Sequence, residues 1–255
     1  MIDRQRVKDT FQAYTANYNA EDEKIKLKIF HTYRVAAIAE RIARSIGMTK
    51  EECTLAWLMG MLHDIGRFEQ LRIYNTFRDA DSVDHAQFGA DLLFREGMIR
   101  DFIDADKYDN VIETAIRNHN GYRVAEGLDV KTEQFCHILR DADKVDILRV
   151  NVEVKAEDVH NTTTEQLRSA PISDAVMQQF YAHHAVQHAV KESVVDHIVG
   201  YVSLVYELVF PESLTIVKEQ GYLDRIMHFQ SSNEDTMHKF MLIREEMNRY
   251  LSQNR

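Results

Sequence analysis

The sequence predicts an all-α protein, and three observations carry that prediction. Its 255 residues include only 2 prolines and 9 glycines, too few breaks for a β-rich or α/β fold, which needs frequent turns. Apolar residues recur at three- and four-residue steps along most of the chain, the mark of helices with one buried stripe. Polar capping residues stand where those stripes begin. With 45% hydrophobic and 28% charged residues, the chain can bury a sizeable core and lacks the composition of a disordered one.

A net charge of −10 and a pI near 5.6 argue against a nucleic-acid polymer or an anionic membrane as partner and favour a small substrate. An acidic protein that binds phosphate must gather positive charge locally, which a bound metal ion can do. Cys53 and Cys136 lie far apart and form no metal or redox pattern, so a reducing, cytoplasmic location is expected. The stretch from Met1 to Arg6 lacks the apolar core of a secretion signal. Val194 to Phe210, the most apolar segment, is too short and too polar for a membrane span, since it carries Asp196, His197 and Glu207.

Taken in order, Val7, Phe11, Tyr14 and Tyr18 mark a first amphipathic helix. His31, Val35, Ile38, Ala39, Ile42 and Ile46 mark a second and put His31 on its buried stripe. Thr49-Lys50-Glu51-Glu52 reads as a capping box opening a helix through Leu55, Leu58, Met59 and Leu62 into His63-Asp64, with Gly66 as its stop. Ser82 is the expected cap of a helix whose inner face carries His85, Phe88, Gly89 and Leu92. Ile112, Ala115, Ile116 and His119 share a face that Asn120-Gly121 ends. Phe135, Ile138, Leu139 and Ala142 define the next helix, with Asp143 one turn beyond Leu139. After residue 150 a Thr- and Asn-rich connection leads to helices through Met177, Phe180, Tyr181 and His184 and through Val195, Ile198, Val202, Val205 and Val209, the second ended by Pro211. A last amphipathic helix runs through Phe240, Ile243, Met247 and Tyr250.

Five of these helices aim imidazoles or carboxylates inward: His31, His63 with Asp64, His85, His119 and Asp143. Each one buried without a partner would cost roughly 1 to 3 kcal/mol. Any of these histidines alone reads as a core residue bonded to a carbonyl; the joint occurrence calls for a shared partner, and a divalent metal or a metal pair supplies one. Nitrogen and oxygen donors without thiolates suit Mn, Fe, Co, Ni or Zn.

The spacing His31, then His63-Asp64, then Asp143, with the surrounding Leu62-His63-Asp64-Ile65-Gly66-Arg67 and Asp141-Ala142-Asp143-Lys144-Val145, resembles the HD superfamily of metal-dependent phosphohydrolases. The likeness spans Ile25 to Leu148. Single-metal members need only the equivalents of His31, His63, Asp64 and Asp143. Asp84-His85-Ala86-Gln87-Phe88-Gly89-Ala90 and Ala115-Ile116-Arg117-Asn118-His119-Asn120 look like the two additional histidine segments of the binuclear branch. The resemblance implies one or two divalent transition metal ions, with Asp64 bridging and His85 and His119 on the second. It implies hydrolysis of a phosphoester or phosphoanhydride of a small substrate, a nucleotide among the options, by metal-activated water. Arg67 and Lys144, beside ligands of that set, are with Asp64 the candidate catalytic residues; Arg67, Lys144 and Asn120 are the candidate substrate contacts. The expected division is an N-terminal helix over 1–21, an HD metal-binding core over 22–150, and a C-terminal helical extension over 151–255 packed on that core.

The cyclic-dinucleotide phosphodiesterase branch has two adjacent histidines followed by a Gly-Tyr-Pro signature, from which His119-Asn120-Gly121-Tyr122-Arg123 departs. The alarmone-hydrolase pattern is matched only by Glu69. The His-Asn-Gly segment and Asp-Lys ending look closer to small binuclear members that split nucleotide anhydrides. Two alternatives share the fold: di-iron oxygenases, which use the same ligand order, and non-catalytic signalling modules, which lose the metal site. His183, His184 and His188 include an i, i+4 pair but read as a packing or solvated face, and Arg117, Arg123 and Arg149 read as solvated more than as a phosphate pocket. The Val195 to Val209 stripe and the methionines read as core or as a homodimer seam.

Overall fold

The computed structural model describes residues 2–153 and 162–254, and among these it is all-α, with no strand. The chain divides into two compact units, Met1–Asp143 and Lys144–Arg255. No described helix is long and apolar enough to cross a membrane.

In the first unit, α1 (Arg4–Thr15) is capped by Asp3 and buries Val7 and Phe11. Tyr18 lies in the turn beyond it, yet its hydroxyl reaches back to Tyr14, 2.8 Å, and to Glu69, 2.7 Å. Asp22 caps α2 (Glu23–Ser45), whose buried stripe includes His31, Val35, Ala39 and Ile42. The Thr49–Glu52 capping box opens α3 (Lys50–Leu62) as expected, and His63 sits at its C-cap. Gly66, expected to stop that helix, lies instead inside α4 (Ile65–Tyr74).

The role of Gly66 is proximity. A Cβ there would lie 2.5 Å from the His85 carbonyl oxygen and 2.7 Å from the Gly89 nitrogen, so α4 and α5 (His85–Ala90) meet backbone to backbone. Gly60 does the same for α2 and α3: its Cβ would lie 2.5 Å from Ala36 Cα. Asp84, not Ser82, caps α5, its carboxylate accepting from the Ala86 and Gln87 amides. After α5 the chain widens into a π-turn over Asp91–Arg95. That extra residue per turn rotates the inward face, so Leu93 rather than Leu92 is fully buried. Short α6 (Ile99–Phe102), α7 (Asp109–Asn118) and long α8 (Val130–Glu153) follow, with the boundary between the units inside α8.

The second unit contains α9 (Thr164–Ser169), α10 (Asp174–Tyr181), α11 (Val194–Ser203), α12 (Pro211–Gln220), α13 (Tyr222–Met227) and α14 (Glu234–Gln253). Most of the Thr- and Asn-rich connection, 154–161, lies outside the described residues. The helix expected to run to Val209 ends at Ser203, and a 3-10 turn over Leu204–Glu207 follows. Pro211 opens α12 at its first position, where its missing N–H has no partner to lose. His184 and His188 share no helix: α10 stops at Tyr181, and His183 adopts a left-handed backbone with φ of 57°. The final helix through Phe240, Ile243 and Met247 is as expected.

Candidate metal centre

All six residues of the expected ligand set lie in the first unit and converge on one place. His31, His63, Asp64, His85 and His119 are 1%, 0%, 2%, 4% and 3% exposed. Asp143 is wetter, with 15% of its side chain exposed. The two glycine crossings bring the elements close enough: α2 against α3 sets His31 beside His63, with Nε2 atoms 3.3 Å apart. The approach of α4 to α5 sets His85 3.5 Å from Asp64 Oδ1.

Two histidines are aimed by the same local device. His63 and His119 each sit just past a helix C-terminus and donate Nδ1–H to the carbonyl three residues back, Gly60 at 2.8 Å and Ile116 at 2.7 Å. This occupies carbonyls that a helix end leaves without amide partners and turns each Nε2 lone pair inward. His85, at the first position of α5, donates its Nδ1–H to Asp79 Oδ2, 2.6 Å away, and likewise presents Nε2.

Asp64 stands between two pairs of imidazoles. Its Oδ2 lies 3.6 Å from His31 Nε2 and 3.5 Å from His63 Nε2, while its Oδ1 lies 3.5 Å from His85 Nε2 and 3.9 Å from His119 Nε2. Asp143 Oδ1 adjoins the first pair, 3.1 Å from His31 and 3.7 Å from His63. The His85 and His119 Nε2 atoms are only 3.0 Å apart. With their Nδ1 protons committed elsewhere, these two nitrogens are facing lone pairs beside a carboxylate, and neither has a proton to offer the other.

The electrostatics keep the donors free. Burial drives the His85 and His119 imidazoles down to about 4, and His63 is lowered by the same cause, so all three are neutral near pH 7. Burial alone would raise Asp64, but Lys28 foremost, with the neighbouring imidazoles and Arg67, holds it well below the usual carboxylate range. Asp143 is raised by burial and lowered further by its hydrogen bond to His31 and by the imidazoles around it, and it too stays ionised. Neutral imidazoles and ionised carboxylates converging on one point form a donor set fitted to divalent cations. His31, His63 and Asp64 form one set that could hold an ion, and Asp64, His85 and His119 a second. A third set, Asp79, Asp84 and His85, has its atoms otherwise engaged, since Asp79 accepts from His85 Nδ1 and Asp84 caps α5.

The expected substrate contacts fare differently. Arg67 is 15% exposed, and its Nη1 is shared among Gln70 Oε1, the Phe77 carbonyl and Asp79 Oδ1 at 2.6 to 2.8 Å, with Nε 3.6 Å from Asp64 Oδ1. Asn120 donates to Asp84 Oδ1 at 3.0 Å and to Asp79 Oδ2 at 3.4 Å. Lys144 is half-buried on α8, one helical step of about 100° from Asp143. Arg117 is paired with Asp91 and Glu113.

Sequence reasoning missed three residues. Lys28 Nζ lies 2.6 Å from Asp64 Oδ2; its place one turn before His31 on the buried face was the available signal. Asp79 sits in the loop between α4 and α5, where no periodicity marks it. Arg140, buried on α8, donates to the Asn118, His119, Gly121 and Tyr122 carbonyls and so holds the turn that carries His119.

A helical unit with this histidine and aspartate order is that of an HD domain. The family model for the HD domain matches residues 29–148, the segment that carries all six of these residues, and this match supports the HD superfamily of phosphohydrolases. The chain is also similar to a 3'3'-cGAMP-specific phosphodiesterase 1 from Vibrio cholerae, 24% identical over 144 residues, covering 55% of this chain and 31% of that protein. The chain thus matches about a third of that relative's length. No solved structure matches.

Proposed function

We propose that the protein is a two-metal phosphohydrolase acting on a small phosphoester or phosphoanhydride. The observation that carries this reading is Asp64, whose two oxygens face two separate pairs of imidazoles. His31, His63, Asp143 and Asp64 Oδ2 would hold one divalent ion, and His85, His119 and Asp64 Oδ1 the other. Such a pair lowers the pKa of a bound water to yield a nucleophile near neutral pH and neutralises charge on the phosphate.

The chain's own residues supply the rest. Burial of the imidazoles excludes bulk water and keeps His63, His85 and His119 unprotonated, while Asp64 and Asp143 remain ionised to balance cation charge. Asp143, Lys28 and Arg67, at 15%, 17% and 15% side-chain exposure, are wetter than the four imidazoles and Asp64, and in this reading substrate approaches from their side. Lys28 is the cation with the most direct access to a phosphate held there, and Lys144 is a further candidate for that contact. Among substrates of this class, the similarity to a cyclic-dinucleotide phosphodiesterase supports a phosphodiester, whereas the His119-Asn120-Gly121 segment resembles members that split nucleotide anhydrides.

The test is metal analysis of anaerobically purified protein together with assays for phosphate or pyrophosphate release from nucleotides and for phosphomonoester formation from phosphodiesters. Two metals and one of these hydrolysis products are expected. Asp64→Ala should remove both metals, and His85→Ala should weaken only one. A protein that binds no metal, or one that consumes oxygen without hydrolysing any of these phosphoesters or anhydrides, overturns the reading.

A further inference from the structure

The loop between α4 and α5 is fastened to the metal centre through one carboxylate. Asp79 Oδ2 accepts from His85 Nδ1 at 2.6 Å, while its Oδ1 accepts from Arg67 Nη1 at 2.7 Å and from Gln70 Nε2 at 2.9 Å. Gln70 is fully buried, and its amide also reaches Ser82 Oγ and the Val83 carbonyl, each at 2.9 Å. Arg67 closes the arrangement on the Phe77 carbonyl. Asp64, Arg67 and Gln70 recur at three-residue steps around the start of α4, so a single helical face carries both the shared carboxylate and the two residues that grip Asp79.

We infer that Asp79, held by Arg67 and Gln70, is a positioning residue for the second metal, and that Arg67 serves this clamp rather than the substrate. The inference rests on the two-metal reading. An imidazole can ligate through Nε2 only if its remaining proton sits on Nδ1, and a carboxylate at Nδ1 fixes that tautomer, fixes the ring plane and makes Nε2 a stronger donor. Asp79 meets all three requirements at His85. His63 and His119 have neutral backbone carbonyls in the same place, so His85 is the one of these three whose orientation depends on a replaceable side chain. Asn120, the residue after His119, reaches Asp79 Oδ2 at 3.4 Å and Asp84 Oδ1 at 3.0 Å, which links the loop to the turn carrying the second ligand of that pair.

The experiment titrates apo protein with Mn(II) by calorimetry and counts metals after dialysis, for wild type, Asp79→Asn and Asp79→Glu, with circular dichroism to check folding. Asn is isosteric, but it lacks the charge and can turn its amide toward Nδ1, which favours the tautomer unable to ligate. Asp79→Asn should bind the first ion as wild type does and the second about 10- to 100-fold more weakly, with Asp79→Glu intermediate. A folded Asp79→Asn protein that binds two ions with wild-type affinities overturns the inference and leaves the two-metal reading intact. A wild-type protein that binds fewer than two ions overturns both.

Discussion

Lys28 Nζ lies 2.6 Å from Asp64 Oδ2, the same oxygen that faces His31 and His63. His31 lies three positions after Lys28, so one turn of α2 delivers an ammonium and an imidazole to one carboxylate oxygen. The pair is nearly dry, with the lysine side chain 17% and the aspartate 3% exposed. Removing one partner of such a pair leaves a buried charge and costs about 3 to 5 kcal/mol. Lys28→Met should therefore destabilise the protein strongly in EDTA. Saturating Mn(II), which would neutralise Asp64 in its place, should recover much of the loss. Urea midpoints of wild type and variant, with and without metal, check this; an equal loss in both conditions would show that Lys28 and the metal do not share Asp64.

Gly66 is the narrowest point of the architecture. Its hypothetical Cβ meets only backbone, the His85 carbonyl oxygen at 2.5 Å and Gly89 nitrogen and Cα at 2.7 and 2.9 Å. None of these atoms can rotate aside. Gly66→Ala should push α5 off α4, with an overpacking cost of about 1 to 3 kcal/mol, and should carry His85 away from Asp64. The expected outcome is a lower thermal midpoint together with selective weakening of one of two metals, read by metal content after dialysis. An alanine variant with full metal content would mean that the helices part without moving His85.

Acid should loosen the metal-free protein well above the range where carboxylates titrate. His85 and His119 titrate near 4 in the fold against 6.5 when free, so between those values the unfolded chain binds more protons than the folded one. Stability is thus fully present above about pH 6.5 and is lost as pH falls toward 4. The drop corresponds to about 3 kcal/mol for each imidazole if the shift is expressed in full. Asp79 and Asp143, held low in the fold, add a further loss only below about pH 4. Urea melts in EDTA from pH 8 to pH 4.5 check the sign; a flat profile from pH 7 to 5 contradicts it.

What the sequence revealed, and what it hid, follows from where each force acts. His31 and His119 stand on apolar stripes, and the Thr49–Glu52 box marks a helix start, so periodicity and capping alone located three of the elements that build the centre. Periodicity also placed Asp143 one turn beyond Leu139 and Asp64 at a helix end, but the division of ligands between two ions came only from the motif, because it depends on how helices distant in sequence meet. Gly66 was misread because a glycine chosen for close approach and a glycine chosen to end a helix are the same letter; only the facing Gly89 separates the two cases. Asp79 had no signal, since a loop carboxylate acquires its role from His85 and Arg67 after folding. Pro211 was read as an end because a proline that starts one helix also follows another.

Arg140 offers a test that separates charge from shape. Its Nη1 donates to the Asn118, His119 and Gly121 carbonyls at 2.8, 3.4 and 2.5 Å, and its Nη2 to Tyr122 at 3.2 Å. These carbonyls close the C-terminal end of α7, where amide partners run out, and the turn they form carries His119. A planar fork can serve several carbonyls at once, whereas an ammonium on a flexible stem is a single point. Arg140→Lys should therefore fail to replace arginine even though it keeps the charge. Arg140→Met and Arg140→Lys are both expected to cost about 1 to 3 kcal/mol in urea melts, through carbonyls left without donors. Both should weaken the metal held with His119 and spare the one held by His31 and His63. If lysine restores wild-type stability and metal content, the arginine acts through charge alone, and the geometric account of the turn is wrong.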